Sequence, residues 1–190
     1  MAACLGFFSL GAPTNKPNET SSLSRIVLGE AKNKPIFENR HAAVLMNADP
    51  ASPGSAMVVA KRPVQFFKDL SSEEGASIFK LAQHYQEFWN NHPLNKGKAV
   101  HYTLLVNDGP LAGQTDPQFH LHIMPATAEN PIRPGTIKYA INPHAKGLPW
   151  SASGWTQRFK EIHAPINAEK HYLRQFIKNN QLTSKFDTAA

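Results

Sequence analysis

A single cysteine, Cys4, is all the thiol chemistry this 190-residue chain carries. That excludes an intrachain disulfide and any zinc site built on several thiolates. The chain suits a reducing compartment, and a cytoplasmic location is expected. No apolar run approaches the roughly 18 residues of a membrane-spanning helix, so no membrane partner is expected. The apolar stretch AACLGFFSLGA near the start lacks the basic residues that precede a secretory signal core, and it reads as a tail or docking segment. Acidic residues are scarce, 14 against 20 lysines and arginines, for a net charge of +6. The imbalance is local: residues 126–190 hold nine cations against four acids, whereas residues 1–125 hold eleven against ten. A basic segment suits anionic partners such as nucleotides, RNA or acidic surfaces. Nucleic acid is therefore one expected partner of the C-terminal extension, beside the plainer reading of a solvated tail.

The length suits one domain with a core of its own. Residues 1–22, with Pro13, Pro17 and a Thr/Ser cluster, read as a flexible tail. Apolar positions at 23, 26, 27 and 28 predict a short helix or turn. Extended runs follow at PIFEN (35–39), HAAVLM (41–46) and AMVVA (56–60), the last two joined by the turn-rich NADPASPGS as a hairpin with a long connection. Ser71 and Glu74 form a capping box for a helix whose apolar face is Ile78, Leu81, Ala82, Tyr85, Phe88 and Trp89. AVHYTLLV (99–106) is the next strand. The pattern is α+β, a mainly antiparallel meander with one main helix packed on it. After residue 125 comes a proline-rich irregular segment with Trp150 and Trp155, then an amphipathic helix at about 168–180 with Tyr172, Leu173, Phe176 and Ile177 on its stripe.

What stands out is QFHLHIMP (118–125). Strand side chains alternate between faces. Phe119, Leu121 and Ile123 therefore share a core face, and Gln118, His120, His122 and Met124 share the other. One histidine on a strand is ordinarily structural, but two imidazoles and an amide in a row point to a site. The preceding GPLAGQTDP adds two glycines, Gly109 and Gly113, whose loop exposes amides to an anion, and Thr115 supplies a hydroxyl. Asn107 stands where the previous strand ends. Amides, a hydroxyl and imidazoles suit a phosphate and its leaving group.

GQTDPQFHLHIMP resembles the signature of the histidine-triad (HIT) family of nucleotide hydrolases and transferases, His-x-His-x-His followed by apolar residues. LSRIVLGEAKNKPIFENRHAAVLMNADPASPGSAMVVAKRP and NDGPLAGQT are similar to the matching parts of its nucleotide-binding and fragile-histidine-triad branches. The resemblance covers residues 23–125, a HIT-like domain, and leaves the extension at 126–190 without a counterpart. It implies a covalent mechanism in which His120 attacks the α-phosphorus of an AMP-like purine nucleotide and water resolves the nucleotidyl-histidine. Imidazole is a competent neutral nucleophile near pH 7, and two displacements split one barrier. The resemblance further implies that His122 orients His120 through its backbone carbonyl and contacts phosphoryl oxygens, and that Thr115 helps the leaving group. It places Asn107 near the scissile bridge, Gly113 and Gln114 in the substrate-binding loop, and Asn47 at the ribose hydroxyls. Leu23, Ile26, Leu45 and Met46 are to enclose the base. No cofactor is implied, with magnesium accompanying a polyphosphate substrate at most. Many members are dimers, so a homodimer is an implied partner.

Gln118 stands where the first histidine of the triad belongs, and an amide never becomes cationic. Ser55 and Pro63 also stand where many relatives carry histidines. Three readings of the pair His120 and His122 remain open at this stage. One is a hydrolase or transferase acting on nucleoside phosphoramidates, adenylylated compounds or dinucleoside polyphosphates. Another is a nucleotide-binding or sensing protein that has lost turnover. The third is a metal site, which needs a further ligand such as Asp116.

Overall fold

A computed structural model describes residues 21–31, 34–47, 50–132 and 170–183, with the side chains of 170–172 outside that description. Of the flexible tail expected over 1–22, residues 1–20 lie outside the described residues. Ser21 and Ser22 are a correction, since they cap and open the first helix. The irregular segment expected over 126–155 lies outside the described residues from residue 133 on. Six of the nine cations of the extension lie there too.

Helix α1 spans Ser22–Val27. Strands β1 (Phe37–Glu38), β2 (Ala42–Met46) and β3 (Ala56–Ala60) follow, then helix α2 (Ser72–Asn90), β4 (His101–Leu105), β5 (His120–Ala126) and helix α3 (Lys170–Asn179). The five strands form one sheet in the order β1-β2-β3-β5-β4, antiparallel at every pairing. This is the α+β meander expected from the pattern, with the histidine strand drawn between β3 and the edge strand β4.

Helix α2 starts as its sequence dictates. Ser71 Oγ accepts from the Glu74 amide, and the Glu74 carboxylate accepts from the Ser71 amide at 2.8 Å, so two orphan donors of the first turn are satisfied. The same carboxylate takes two 2.7 Å bonds from Arg62, which holds the chain leaving β3 against the helix. That guanidinium holds the Glu74 carboxyl below its ordinary range, against the opposing effect of burial. The apolar face of α2 lies on one side of the sheet with Val44, Val58, Leu121 and Ile123, and all of these are buried. Each such side chain contributes roughly 1.5–3 kcal/mol on leaving water.

The C-terminal extension returns to this layer. Leu173, Phe176 and Ile177 of α3 join the main core, and the Phe176 ring lies 5.7 Å from Phe37 and 5.5 Å from Phe88. Beyond the helix, Thr183 and Glu38 exchange backbone bonds of 2.8 and 3.2 Å, which covers the outer edge of β1.

The opposite side of the sheet carries a smaller apolar cluster: Leu23 and Val27 from α1 against Ala43, Leu45, Met57 and Val59. Cross-strand partners share a face. Met57 pairs with His122 and Val59 with His120, so both imidazoles belong to this second side.

Candidate active site

The ladder of β5 begins at His120, two residues later than alternation predicts. Phe119 leaves the regular register because its amide donates to Val64 O at 2.6 Å while its carbonyl accepts from the Ala60 amide. Phe119, Leu121 and Ile123 still lie in the main core, as the period of two requires.

His120 and His122 are both buried, and their rings meet edge to face with centroids 4.8 Å apart. Nδ1 of His120 lies 2.8 Å from the Gln118 carbonyl oxygen. A carbonyl only accepts, so Nδ1 carries the proton. In the neutral ring the lone pair is then on Nε2. Burial lowers the proton affinity of His120, opposed by its bond to Gln118 O and by the nearby Asp116 carboxylate. His122 is pushed down to about 3, by burial first and then by the adjacent His120. Both rings are neutral at pH 7, the state a nitrogen nucleophile requires.

One expected contact is corrected. The carbonyl that orients His120 belongs to Gln118, not to His122. The Gln118 side chain is fully buried. Its Nε2 donates to Ala60 O at 2.7 Å and Arg62 O at 2.8 Å, which fixes the amide orientation, while Oε1 is buried without a hydrogen-bond partner. Gln118 therefore contributes a backbone oxygen to the site and a side-chain anchor behind it.

The loop before β5 is held from several sides. Gly109 (φ 99°) and Gly113 (φ 90°) take backbone conformations that other residues adopt poorly, and a Cβ on Gly109 would also press on Phe66 at 3.1 Å. Gln114 is buried. Its Nε2 donates to Gln65 O and Gln118 O, and its Oε1 accepts from Gln65 Nε2 at 3.2 Å, so its amide braces the loop. Thr115 is exposed, and Asn107 is buried just past the end of β4. Asn47, half-buried, continues β2 on the same side as Leu45, with its amide bonded to Ser55 O.

Leu23 is buried and Ile26 half-buried on α1, and both pack with Leu45 beside the histidine face. Met46 is a second correction. It pairs with Ala56 and packs in the main core, where the Tyr85 hydroxyl points at its sulfur, so it faces α2 and cannot enclose a base beside His120. Consecutive strand residues point to opposite faces, and Leu45 and Met46 cannot both serve one pocket.

Sequence reasoning missed Asp116, Gln65 and the wall residues Met57 and Val59. Strand β3 is apolar at every position, so alternation marks no face on it. Asp116 was weighed only as a metal ligand. Its carboxylate instead accepts from the Ser21 and Ser22 hydroxyls and the Leu23 amide. Among the described residues, no three His, Cys, Asp or Glu side chains gather in a way that could hold a metal ion.

A profile of the HIT domain matches residues 28–129, more than half of the chain. The chain belongs to the histidine-triad family. A Saccharomyces cerevisiae relative, bis(5'-adenosyl)-triphosphatase, is 32% identical over 159 residues, which is 80% of this chain and 68% of that protein. The Caenorhabditis elegans nitrilase and fragile histidine triad fusion protein NitFhit is 31% identical over 113 residues, 60% of this chain and 25% of its own length. Bis(5'-adenosyl)-triphosphatase of Dictyostelium discoideum is 34% identical over 90 residues, 47% of this chain and 58% of its own. The match thus spans a quarter to somewhat over half of these last two relatives. Among solved structures, a hypothetical protein from Leishmania major (TM-score 0.54, 20% identity, 79% of this chain and 98% of that one) shares the fold. So does a HIT family protein from Bacillus anthracis (TM-score 0.53, 20% identity, 80% and 98%).

Within this histidine-triad chain His120 and His122 lie together on one wall. Gln118, two residues before His120, hydrogen-bonds by its side chain to the end of β3. Among the described residues no helix is long and apolar enough to cross a membrane.

Proposed function

We propose that this histidine-triad protein is a nucleotidyl hydrolase or transferase that cleaves at the α-phosphate of dinucleoside polyphosphates, nucleoside phosphoramidates or adenylylated compounds. The observation that carries the proposal is the state of His120: neutral, with Nδ1–H bound to Gln118 O and the lone pair on Nε2. Nε2 attacks the α-phosphorus, a P–N bond forms, and the bond from phosphorus to the leaving group breaks. The leaving group departs with the bonding electron pair and takes a proton from solvent, which the attacking water returns in the second step. Water then attacks the same phosphorus, the P–N bond breaks, and His120 and a nucleoside monophosphate are released. His122, neutral beside the nucleophile, faces the phosphoryl oxygens. Thr115 assists the leaving group and Asn107 borders the scissile bridge. Gly113 and Gln114 shape the phosphate loop, Asn47 meets the ribose, and Leu23, Ile26 and Leu45 wall the purine. The chemistry requires no cofactor, and magnesium accompanies a polyphosphate substrate. The relatives named bis(5'-adenosyl)-triphosphatase favour the dinucleoside polyphosphates among these substrates. The single cysteine accords with a reducing, cytoplasmic setting.

Turnover of diadenosine triphosphate and adenosine 5'-phosphoramidate by the purified protein, beside His120→Ala, tests the reading. The variant is expected to lose about three orders of magnitude or more in kcat, as removal of a covalent nucleophile does. Equal turnover by both proteins would eliminate the covalent mechanism. A second reading, a nucleotide-binding or sensing protein without turnover, is favoured by the placement of Gln118, whose amide offers the reacting face no charge. AMP binding with no turnover by the wild type would select it.

We also propose a homodimer through β4. This strand pairs with β5 on one side, its other edge has no strand partner among the described residues, and Leu104 is 42% exposed. An open edge of this kind is a template for a second strand. Sedimentation of Leu104→Pro, which removes a backbone donor of the open edge while the β5 ladder runs through its neighbours Thr103 and Leu105, is expected to yield monomer where the wild type is dimeric. A monomeric wild type would refute the pairing.

A further inference from the structure

Helix α1 is six residues long, too short to hold its shape by its own hydrogen bonds. Two attachments hold it. Leu23 and Val27 bury their side chains against β2 and β3, and the first turn is tied to Asp116. That tie has three bonds: the Ser21 hydroxyl to Oδ1, the Ser22 hydroxyl to Oδ2 at 2.7 Å, and the Leu23 amide to Oδ2 at 3.1 Å. Ser21 is itself fully buried and caps the helix by accepting from the Ser24 amide at 2.9 Å. Asp116 lies next to Thr115 in the loop leading to His120. It precedes Pro117, which disfavours helical conformations of its backbone. The same stretch is pinned from behind, through Gln118 Nε2 to the end of β3 and through Gln114 Nε2 to Gln118 O. The two segments joined by the carboxylate are more than ninety residues apart in sequence.

We propose that Asp116 is a positioning residue that fastens α1, with Leu23 and Ile26, to the catalytic loop, so that the wall enclosing the substrate and the nucleophile form one rigid unit. This rests on the proposed function, in which α1 walls the nucleoside. The carboxylate touches no reacting atom. Its effect is on where the substrate is held relative to His120, and it belongs in KM more than in kcat. Three acceptor contacts on two oxygens suit a carboxylate. An asparagine oxygen can keep the Leu23 amide and one hydroxyl, while its NH₂ can donate to the other serine oxygen. An alanine keeps none of them.

The test uses the full chain and the variants Asp116→Ala, Asp116→Asn and Ser22→Ala, with two measurements. The first is hydrogen–deuterium exchange of the α1 amides without any nucleotide. Exchange at 23–28 is expected to quicken about tenfold or more in Asp116→Ala, as for the loss of one or two hydrogen bonds, and to stay within about threefold of wild type in Asp116→Asn. Ser22→Ala, which removes one surface hydroxyl, is expected to fall between them. The second measurement is steady-state turnover of diadenosine triphosphate. KM is expected to rise about tenfold in Asp116→Ala with kcat within about threefold, and Asp116→Asn is expected to restore most of the difference. Unchanged α1 exchange in Asp116→Ala overturns the proposal, as does a fall in kcat at constant KM, which would place Asp116 in the chemistry. If the wild type turns over no nucleotide, the proposed function fails, and the exchange measurement still decides the fastening. If Asp116→Ala does not fold, the ordering of Asp116→Asn and Ser22→Ala against wild type decides it. Equal exchange in all three then counts against it.

Discussion

At the scale of single residues, the site turns on what an amide does that an imidazole cannot. Gln118 presents two N–H groups from one nitrogen, and they reach the Ala60 and Arg62 carbonyls together. The two nitrogens of an imidazole point in diverging directions and cannot both reach that pair of acceptors. A histidine at position 118 is therefore expected to harm this protein. Gln118→His should lose about 1–3 kcal/mol of stability, the cost of a buried carbonyl left unpaired, and should not raise kcat. Thermal denaturation and steady-state kinetics of the variant check both parts. A kcat above wild type would show that position 118 can work from the reacting face after all. The place of Gln118 two residues before His120 was legible in the sequence, but the partners of its side chain were not. Alternation assigned it to the histidine face, whereas the carbonyls freed where the ladder breaks at Phe119 draw its amide to the end of β3.

At the scale of elements, the hairpin β2–β3 shows how a turn-rich connection is made specific. Gly54 takes φ +77°, and a Cβ there would lie 2.2 Å from Cε2 of Trp89 on α2. The Gly54 carbonyl accepts from the buried Tyr85 hydroxyl at 2.6 Å. The connection is thus seated on the face of α2. Gly54→Ala combines a left-handed backbone with an overlap in packed surroundings, and is expected to cost about 3 kcal/mol. Chemical denaturation is the measurement, and a loss below about 1 kcal/mol would mean that Trp89 moves aside freely. Helix α2 was the most legible element. Its capping box and its buried stripe at Ile78, Leu81, Ala82, Tyr85, Phe88 and Trp89 come from local sequence alone. The short strands were less so. PIFEN and AVHYTLLV yield ladders only at Phe37–Glu38 and His101–Leu105, because strand ends depend on partners that sequence periodicity does not name.

At the scale of the whole molecule, the buried imidazoles link the site to stability. His122 has a folded pKa of about 3, and burial also lowers His120 and His84. Each folded value lies below the ordinary unfolded one of about 6.5. The unfolded chain therefore takes up protons first as the pH falls, and stability drops below about pH 6.5. For His122 the loss is about 1.4 kcal/mol per pH unit and continues to about pH 3. Glu74, held low by Arg62, adds to the loss once the pH falls through the carboxylate range. Melting temperatures at pH 7 and pH 5 are expected to fall less steeply in His122→Asn than in wild type, and parallel slopes would contradict the burial of a neutral imidazole at 122.

The amino-acid sequence by itself determined the α+β pattern, the start and stripe of α2, the two faces of the histidine strand and the stripe of the last helix. Each is written in local periodicity and capping chemistry, which need no knowledge of partners. It also carried the resemblance to the histidine-triad signature, and the family match bears that out. The tertiary structure decided which face of the uniformly apolar β3 lines the site, that Met46 faces α2, and that Gln118 orients His120 through its carbonyl. It also decided that Asp116 ties α1 to the loop before β5. All of these depend on residues far apart in the chain meeting across the sheet, and the register of such meetings is set by packing and by the hydrogen-bonding needs of buried groups, not by any local pattern.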